Sequence, residues 1–202
     1  RGYYDGVDYG FSINKKTTAK KFINDFSKST CMLPIFKSTS EFKLNLIKDE
    51  YSQSDSIITV QDIINYSFSR TSIGKINTIV NVRYNYDYAK EIYLAETGYV
   101  DGYDMFGNGD GTALNPPREN GYSYEYLGID REDKVLEFQS KYIRNEDTAL
   151  KLRNFLYAWS CNQHNEFQLN LPNKYAMLEA GDIIEFDSLI DNMKAYGEDY
   201  TI

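Results

Sequence analysis

Apolar residues at Ala19, Phe22, Ile23 and Phe26 fall at i, i+3, i+4 and i+7, the spacing of a helix with one buried face. Thr17 or Thr18 stands where such a helix needs a capping oxygen. Before it, Phe11–Ile13 reads as a short strand. After it, Met32–Phe36 and Glu41–Ile47 read as two strands around a KSTS turn, with Phe42, Leu44 and Leu46 alternating onto one face. Together these predict a βαββ unit over residues 8–50. Thr59 and Asp62 have the spacing of a capping box, which predicts a helical turn near Asp62–Tyr66 and puts Ile63, Ile64 and Phe68 against a core.

The clearest alternation follows, over 76–88. Val80, Val82, Tyr84, Tyr86 and Tyr88 interleave with Asn81, Arg83, Asn85 and Asp87, predicting a long antiparallel strand with one wet face. Residues 97–121 are rich in glycine and hold two of the 4 prolines, and read as a long loop of the kind that carries function or meets a partner. Tyr122–Ile129 reads as an aromatic strand, and Val135–Tyr142 alternates Leu136, Phe138 and Tyr142. A helix over 147–161 is capped by Asp147 or Thr148 and carries Ala149, Leu152, Phe155, Leu156 and Trp159, with Trp159 expected in the core. Phe167, Leu169 and Leu171 then alternate as a strand that Pro172-Asn173 breaks. Ile183, Ile184 and Phe186 form another after the turn 179–182. The fold class predicted is α+β: a small helix-on-hairpin subdomain over 1–73, then a mainly antiparallel, barrel-like β-domain over 74–202 with one packed helix.

Composition narrows the function classes. A chain of 202 residues that is 42% hydrophobic, with only 4 prolines, buries a core and is ordered. No apolar run approaches the ~18 residues of a membrane span. A net charge of −8 disfavours a phosphate-backbone binder, and the one basic knot, NKKTTAKKF, reads as the start of the first helix. Tyrosine is abundant, 19 residues, which leans the chain toward sheets and contact surfaces. The chain opens RGYYDG, with neither Met nor a basic-then-apolar segment, and is read as a piece of a longer polypeptide.

Candidate chemistry is sparse. Cys161 and the only histidine, His164, are joined in CNQH, but a structural zinc needs about four ligands and no second cluster is near. As a nucleophile pair they lack a third group to orient the imidazole. They stand where a helix gives way to a strand, so CNQH is read as a joint, and Cys31 and Cys161 as reduced, buried apolar groups. In the long loop, setting Gly111 as the sixth residue of a calcium loop puts Phe106 first and Pro117 twelfth, so that register fails. A looser site of Asp101, Asp104, Asn108 and Asp110 is the remaining metal reading. GNGDGT lacks the Lys-Ser/Thr of a phosphate loop, and G-x-S-x-G is absent. No catalytic, cofactor or metal residue is assigned.

The run EDTALKLRNFLYAWSCNQHNEFQLNLPNKYAMLEAGDIIEFD resembles the hub and tip-attachment proteins of tailed bacteriophages. A helix rich in Ala, Leu and Arg is followed by an apolar strand, and Leu178-Glu-Ala-Gly181-Asp182-Ile-Ile then turns into the next one. TTAKKFINDFSKSTCMLPIFKSTSEFKLNLI and ITVQDIINYSFSRTSIGKINTIVNVRYNYDY are similar in the same order, so the resemblance spans about 10–190. The glycine-rich 97–121 segment has no counterpart in it. The resemblance implies a non-enzymatic component of the virion tail, made in the host cytoplasm. It would assemble as a ring, commonly a trimer, around the tail tube and contact other baseplate proteins. It implies that strand 76–88 faces a neighbouring subunit or sheet and that loop 97–121 meets another baseplate component. Two rivals remain: a carbohydrate- or surface-binding β module, suggested by tyrosines and the long loop, and a tail hydrolase with two carboxylates converging in a cleft.

Overall fold

A computed structural model describes residues 7–13, 15–37, 40–47, 54, 56–77, 79–98, 100–101, 134–161 and 163–186. The Tyr122–Ile129 strand, the tail beyond 186 and all of the 97–121 loop except 97, 98, 100 and 101 lie outside them. The fold is α+β, with two helices and mostly antiparallel strand pairs among the described residues. No described sheet closes into a barrel.

The chain divides into two units, each made of two separate stretches. Of the described residues, 7–31 and 71–163 form the first unit, and 32–70 and 164–186 the second. The predicted βαββ unit is split, because its helix packs in one unit and its hairpin in the other.

The first unit is built on β5 (Ile79–Asp87). β6 (Ile92–Glu96) pairs with it antiparallel through Arg83↔Glu96 to Asp87↔Ile92, and β7 (Val100–Asp101) through Ile79 and Val80. β8 (Val135–Gln139) pairs with it in parallel, Ile79↔Val135 to Arg83↔Gln139. Arg83 pairs with both β6 and β8, so these two strands flank β5 on opposite sides. The parallel partner differs from the antiparallel setting expected; period-two alternation is the same for either direction. The β5–β6 turn is held by Asp87 Oδ1, which accepts from the Ala89 and Lys90 N–H groups. Asn85 takes φ 55°, a conformation asparagine tolerates, and its N–H donates to the Ile143 carbonyl.

Helix α1 (Ala19–Thr30) starts where expected, with Thr18 Oγ1 accepting from the Lys21 N–H. Helix α2 (Glu146–Ser160) is capped by Asn145, whose side chain accepts from the Thr148 N–H at 2.8 Å, rather than by Asp147 or Thr148. Ala149 and Leu152 of α2 join Val82, Tyr84, Ile143 and Cys31 in one buried cluster. Tyr157 and Cys161 join Val80 in a second. The tyrosines of β5 pack within the unit, where Tyr84 and Tyr86 are buried. Trp159 is a correction to the sequence expectation. It is 55% exposed and stacks on Phe155 instead of entering the core, because Tyr157 and Cys161, two positions to either side of it, take the buried face of the helix end against Val80.

Phe11–Ile13 is not a strand. The extended contact comes earlier, where Tyr9 bridges Ile143 and the Gly10 N–H donates to the Tyr142 carbonyl. Arg144 then ties the Gly10 and Tyr86 carbonyls together from Nε and Nη1.

Among the described residues, the second unit consists of three strand pairs. β1 (Met32–Phe36) and β2 (Phe42–Leu46) form the expected hairpin. β3 (Ser56–Ile58) pairs in parallel with β10 (Ile184–Phe186), and β4 (Asn65–Arg70) pairs antiparallel with β9 (Asn165–Asn170). The helical turn near Thr59 is a 3₁₀ turn over Val60–Asp62, and of the residues expected to continue it Asn65 and Tyr66 are strand instead. Ile64 and Phe68 are exposed, not core.

Candidate functional site

CNQH is the joint between the units' sequences. Cys161 caps α2, its N–H donating to the Tyr157 carbonyl, and β9 begins at Asn165. The Cys161 thiol is fully buried, and burial pushes it up to about 11. A nucleophile or metal ligand needs the thiolate and hence a shift the other way. Cys161 belongs to the first unit and His164 opens the second. Beside the joint, Gln163 Nε2 donates to the Thr71 carbonyl at 2.8 Å, fastening the two crossings of the chain side by side.

The looser calcium set cannot be placed, since Asp104, Asn108 and Asp110 lie outside the described residues. Among the described residues no three His, Cys, Asp or Glu side chains gather as a metal would need. One pair of carboxylates does converge. Glu96 and Glu137 stand on the strands flanking β5, and the buried Asn81 Nδ2 lies 3.2 Å from Glu96 Oε2 and 3.4 Å from Glu137 Oε2. Arg83 Nε lies 3.6 and 3.4 Å from the same two oxygens, and Thr97 Oγ1 donates to Asn81 Oδ1. The supposed wet face of β5 is thus roofed by a polar network that satisfies a buried amide. Both carboxylates accept from Asn81 and pair with Arg83, so they serve to cover that buried amide.

The second unit carries the feature that asks for a partner. In an antiparallel ladder, directly opposed residues share a face. The register Met32↔Leu46, Pro34↔Leu44, Phe36↔Phe42 therefore gathers six apolar side chains on one side of the hairpin. Leu33, Ile35, Lys43 and Asn45 take the other. On that second side Leu33 is 46% exposed but Ile35 is buried, its side chain lying where a Cβ on Gly181 would have to go. Phe42, Leu44 and Leu46 alternate as the sequence predicts, yet their face is open, with Phe36 73%, Phe42 42%, Leu44 37% and Leu46 38% exposed.

The turn that holds Ile35 is the Gly181-Asp182 signature itself. Asp182 Oδ2 accepts from the Glu179 N–H at 2.7 Å while the Asp182 N–H donates back to the Glu179 carbonyl. Gly181 between them has φ +89°, where only glycine is at ease. Asn45 Nδ2 reaches the Gly181 carbonyl, and Lys37 pairs with Glu179, so the hairpin is latched to this turn from two places. A second latch joins the 3₁₀ turns Val60–Asp62 and Asn173–Tyr175. Asp62 takes the Lys174 ammonium at 2.6 Å, the Tyr175 hydroxyl at 2.6 Å and the Thr59 hydroxyl at 2.7 Å. Those donors, Lys174 foremost, hold the Asp62 carboxyl well below the usual carboxylate range. Sequence reasoning found Thr59 and Asp62 as a cap but had no signal for Lys174 and Tyr175, which arrive from over a hundred residues away.

Two features make the hairpin's outer edge suited to further pairing. Among the described strands β2 pairs only with β1. Pro34 leaves β1 without one donor, as edge strands permit, so β2 offers the more complete edge. Compared with protein-family models and with curated proteins, the chain matches none.

Proposed function

We propose that this chain is a structural component of a phage tail tip or baseplate hub, and that it assembles with copies of itself around the tail tube and contacts other tail proteins. One observation carries the assembly part. Among the described residues of the second unit only Ile35 and Ile58 are buried apolar side chains, whereas Leu33, Phe36, Phe42, Leu44, Leu46, Ile57, Ile64, Tyr66, Phe68 and Met177 are exposed. A unit so short of core and so rich in apolar surface gains from being covered. The tail-hub identity is supported by the resemblance of the helix, strand and Gly-Asp turn, and by the latch function the turn performs in the second unit. The Cys161 and Glu96–Glu137 environments favour a mechanical role over a chemical one.

The occupant we assign to the hairpin's apolar face is a second copy of the chain. Light scattering behind size exclusion should find a closed oligomer at micromolar concentration. The double variant Phe36→Glu, Leu44→Glu should be a monomer with unchanged circular dichroism. A wild-type chain that stays monomeric across that range would sink the proposal. Binding to sugars on a glycan array, with no self-association, would favour the surface-binding module instead.

A further inference from the structure

The lysines of NKKTTAKKF do more than begin a helix. In the first unit Lys15, Lys16 and Lys21 meet Lys141 around a cleft of about 310 Å³ whose apolar wall includes Phe11, Phe22 and Tyr142. That volume sits at the lower end of ligand-sized clefts, about 300–1,000 Å³. The rings form a connected platform, with Phe11 5.1 Å from Phe22 and 5.5 Å from Tyr142, and Phe11 keeps 44% of its surface exposed.

Charge makes the cleft unusual for this chain, which is −8 overall. Lys15 is paired with Glu91, and Lys141 rests over the Tyr86 ring at 4.2 Å. Lys16 and Lys21 are exposed and make no ion pair among the described residues, and Asp25 is the one acid in the lining. The lining thus holds more ammonium groups than carboxylates, and their mutual repulsion is a cost an anionic ligand would remove. The cations of the lining are all lysines, point charges of the kind that bind phosphate groups. Exposed rings beside such charges stack flat bases.

We propose that this cleft binds one nucleotide unit, its phosphate among Lys16, Lys21 and Lys141 and its base against Phe11. The unit is either a free mononucleotide or one residue of a single strand. The site is separate from the hairpin face and does not depend on the assembly role.

Titration calorimetry of the full chain with dTMP, inorganic phosphate and a short oligo-dT, at low salt, tests it. Expected is saturable binding of dTMP at millimolar or lower concentration, at least tenfold tighter than phosphate. Lys16→Glu, Lys21→Glu should abolish both, and Phe11→Ala should bring dTMP down to the phosphate level. Both variants lie at the surface, and circular dichroism and Tm check their fold. Oligo-dT binding tighter than dTMP would name a strand as the source, and equal affinity would name the free nucleotide. With one phosphate contacted, oligo-dT affinity should fall about two- to threefold between about 50 and 200 mM salt. Failure of dTMP to bind, binding that survives Lys16→Glu, Lys21→Glu, or phosphate binding as tight as dTMP would each overturn the proposal.

Discussion

Gly181 has φ +89°, and an alanine there would drive its Cβ into the Ile35 side chain. Gly181→Ala should therefore cost about 1–3 kcal/mol from backbone strain alone, with the collision added. Urea denaturation checks it; a cost under about 0.5 kcal/mol would mean the turn relaxes freely. A contrast on α2 separates spacing from burial. Leu152, Leu156 and Trp159 lie on one helical stripe, so the sequence cannot rank them. The structure does: Leu152 is fully buried and Trp159 is 55% exposed. Leu152→Ala should cost about 2–5 kcal/mol, and Trp159→Ala below about 1 kcal/mol. Equal costs in the same denaturation series would contradict this placement of the helix end.

At the scale of elements, the latch between the two 3₁₀ turns of the second unit has a pH signature. The Asp62 carboxyl is held down in the folded chain by Lys174, Tyr175 and Thr59, and in the unfolded chain it returns to about 3.9. A depressed carboxylate stabilises fully above its unfolded value, and that contribution fades as pH falls through about 4 and continues fading toward the folded value. Hydrogen exchange in the Asn173–Tyr175 turn should accelerate below about pH 4 beyond the intrinsic trend. In Asp62→Asn that acid dependence should be flattened, with exchange faster at neutral pH. An Asp62→Asn profile that keeps the wild-type acid limb would assign it to another group. The latch also marks the limit of reading elements from sequence. α1, α2, the β1–β2 hairpin, β5, β8 and β9 were legible because each repeats apolar residues at its own period. Their partners were not. Period two does not tell the parallel β8 from an antiparallel neighbour, nor the open face of the hairpin from its packed one. Ile35 is the buried residue and Phe42 the exposed one, a choice made by Gly181 from across the unit. Asn81 is buried for the same kind of reason, since Glu96 and Glu137 come from two other strands to cover it.

Over the whole molecule, the division into units is a division of stability. The first unit holds both buried clusters, built from β5, Ile143 and α2. The second is held by strand ladders, two polar latches and ring contacts such as Phe68–Phe167 and Phe167–Phe186, around Ile35 and Ile58. Local opening is cheapest where few apolar contacts are lost, and costs approach the global value in a well-buried core. Native-state hydrogen exchange of dilute chain should therefore find the β5 amides slowest, and the β1 and β2 amides the fastest among the described strands. If a second copy covers the apolar face of the hairpin, raising the concentration should slow exchange in β1 and β2 while β5 stays as it was, because binding stabilises only what it covers or what opens with it. Phe36→Glu, Leu44→Glu should remove that concentration dependence without touching β5. Slowing in β5 alone, with the hairpin unmoved, would place the self-association surface on the first unit and release the hairpin face for a different partner.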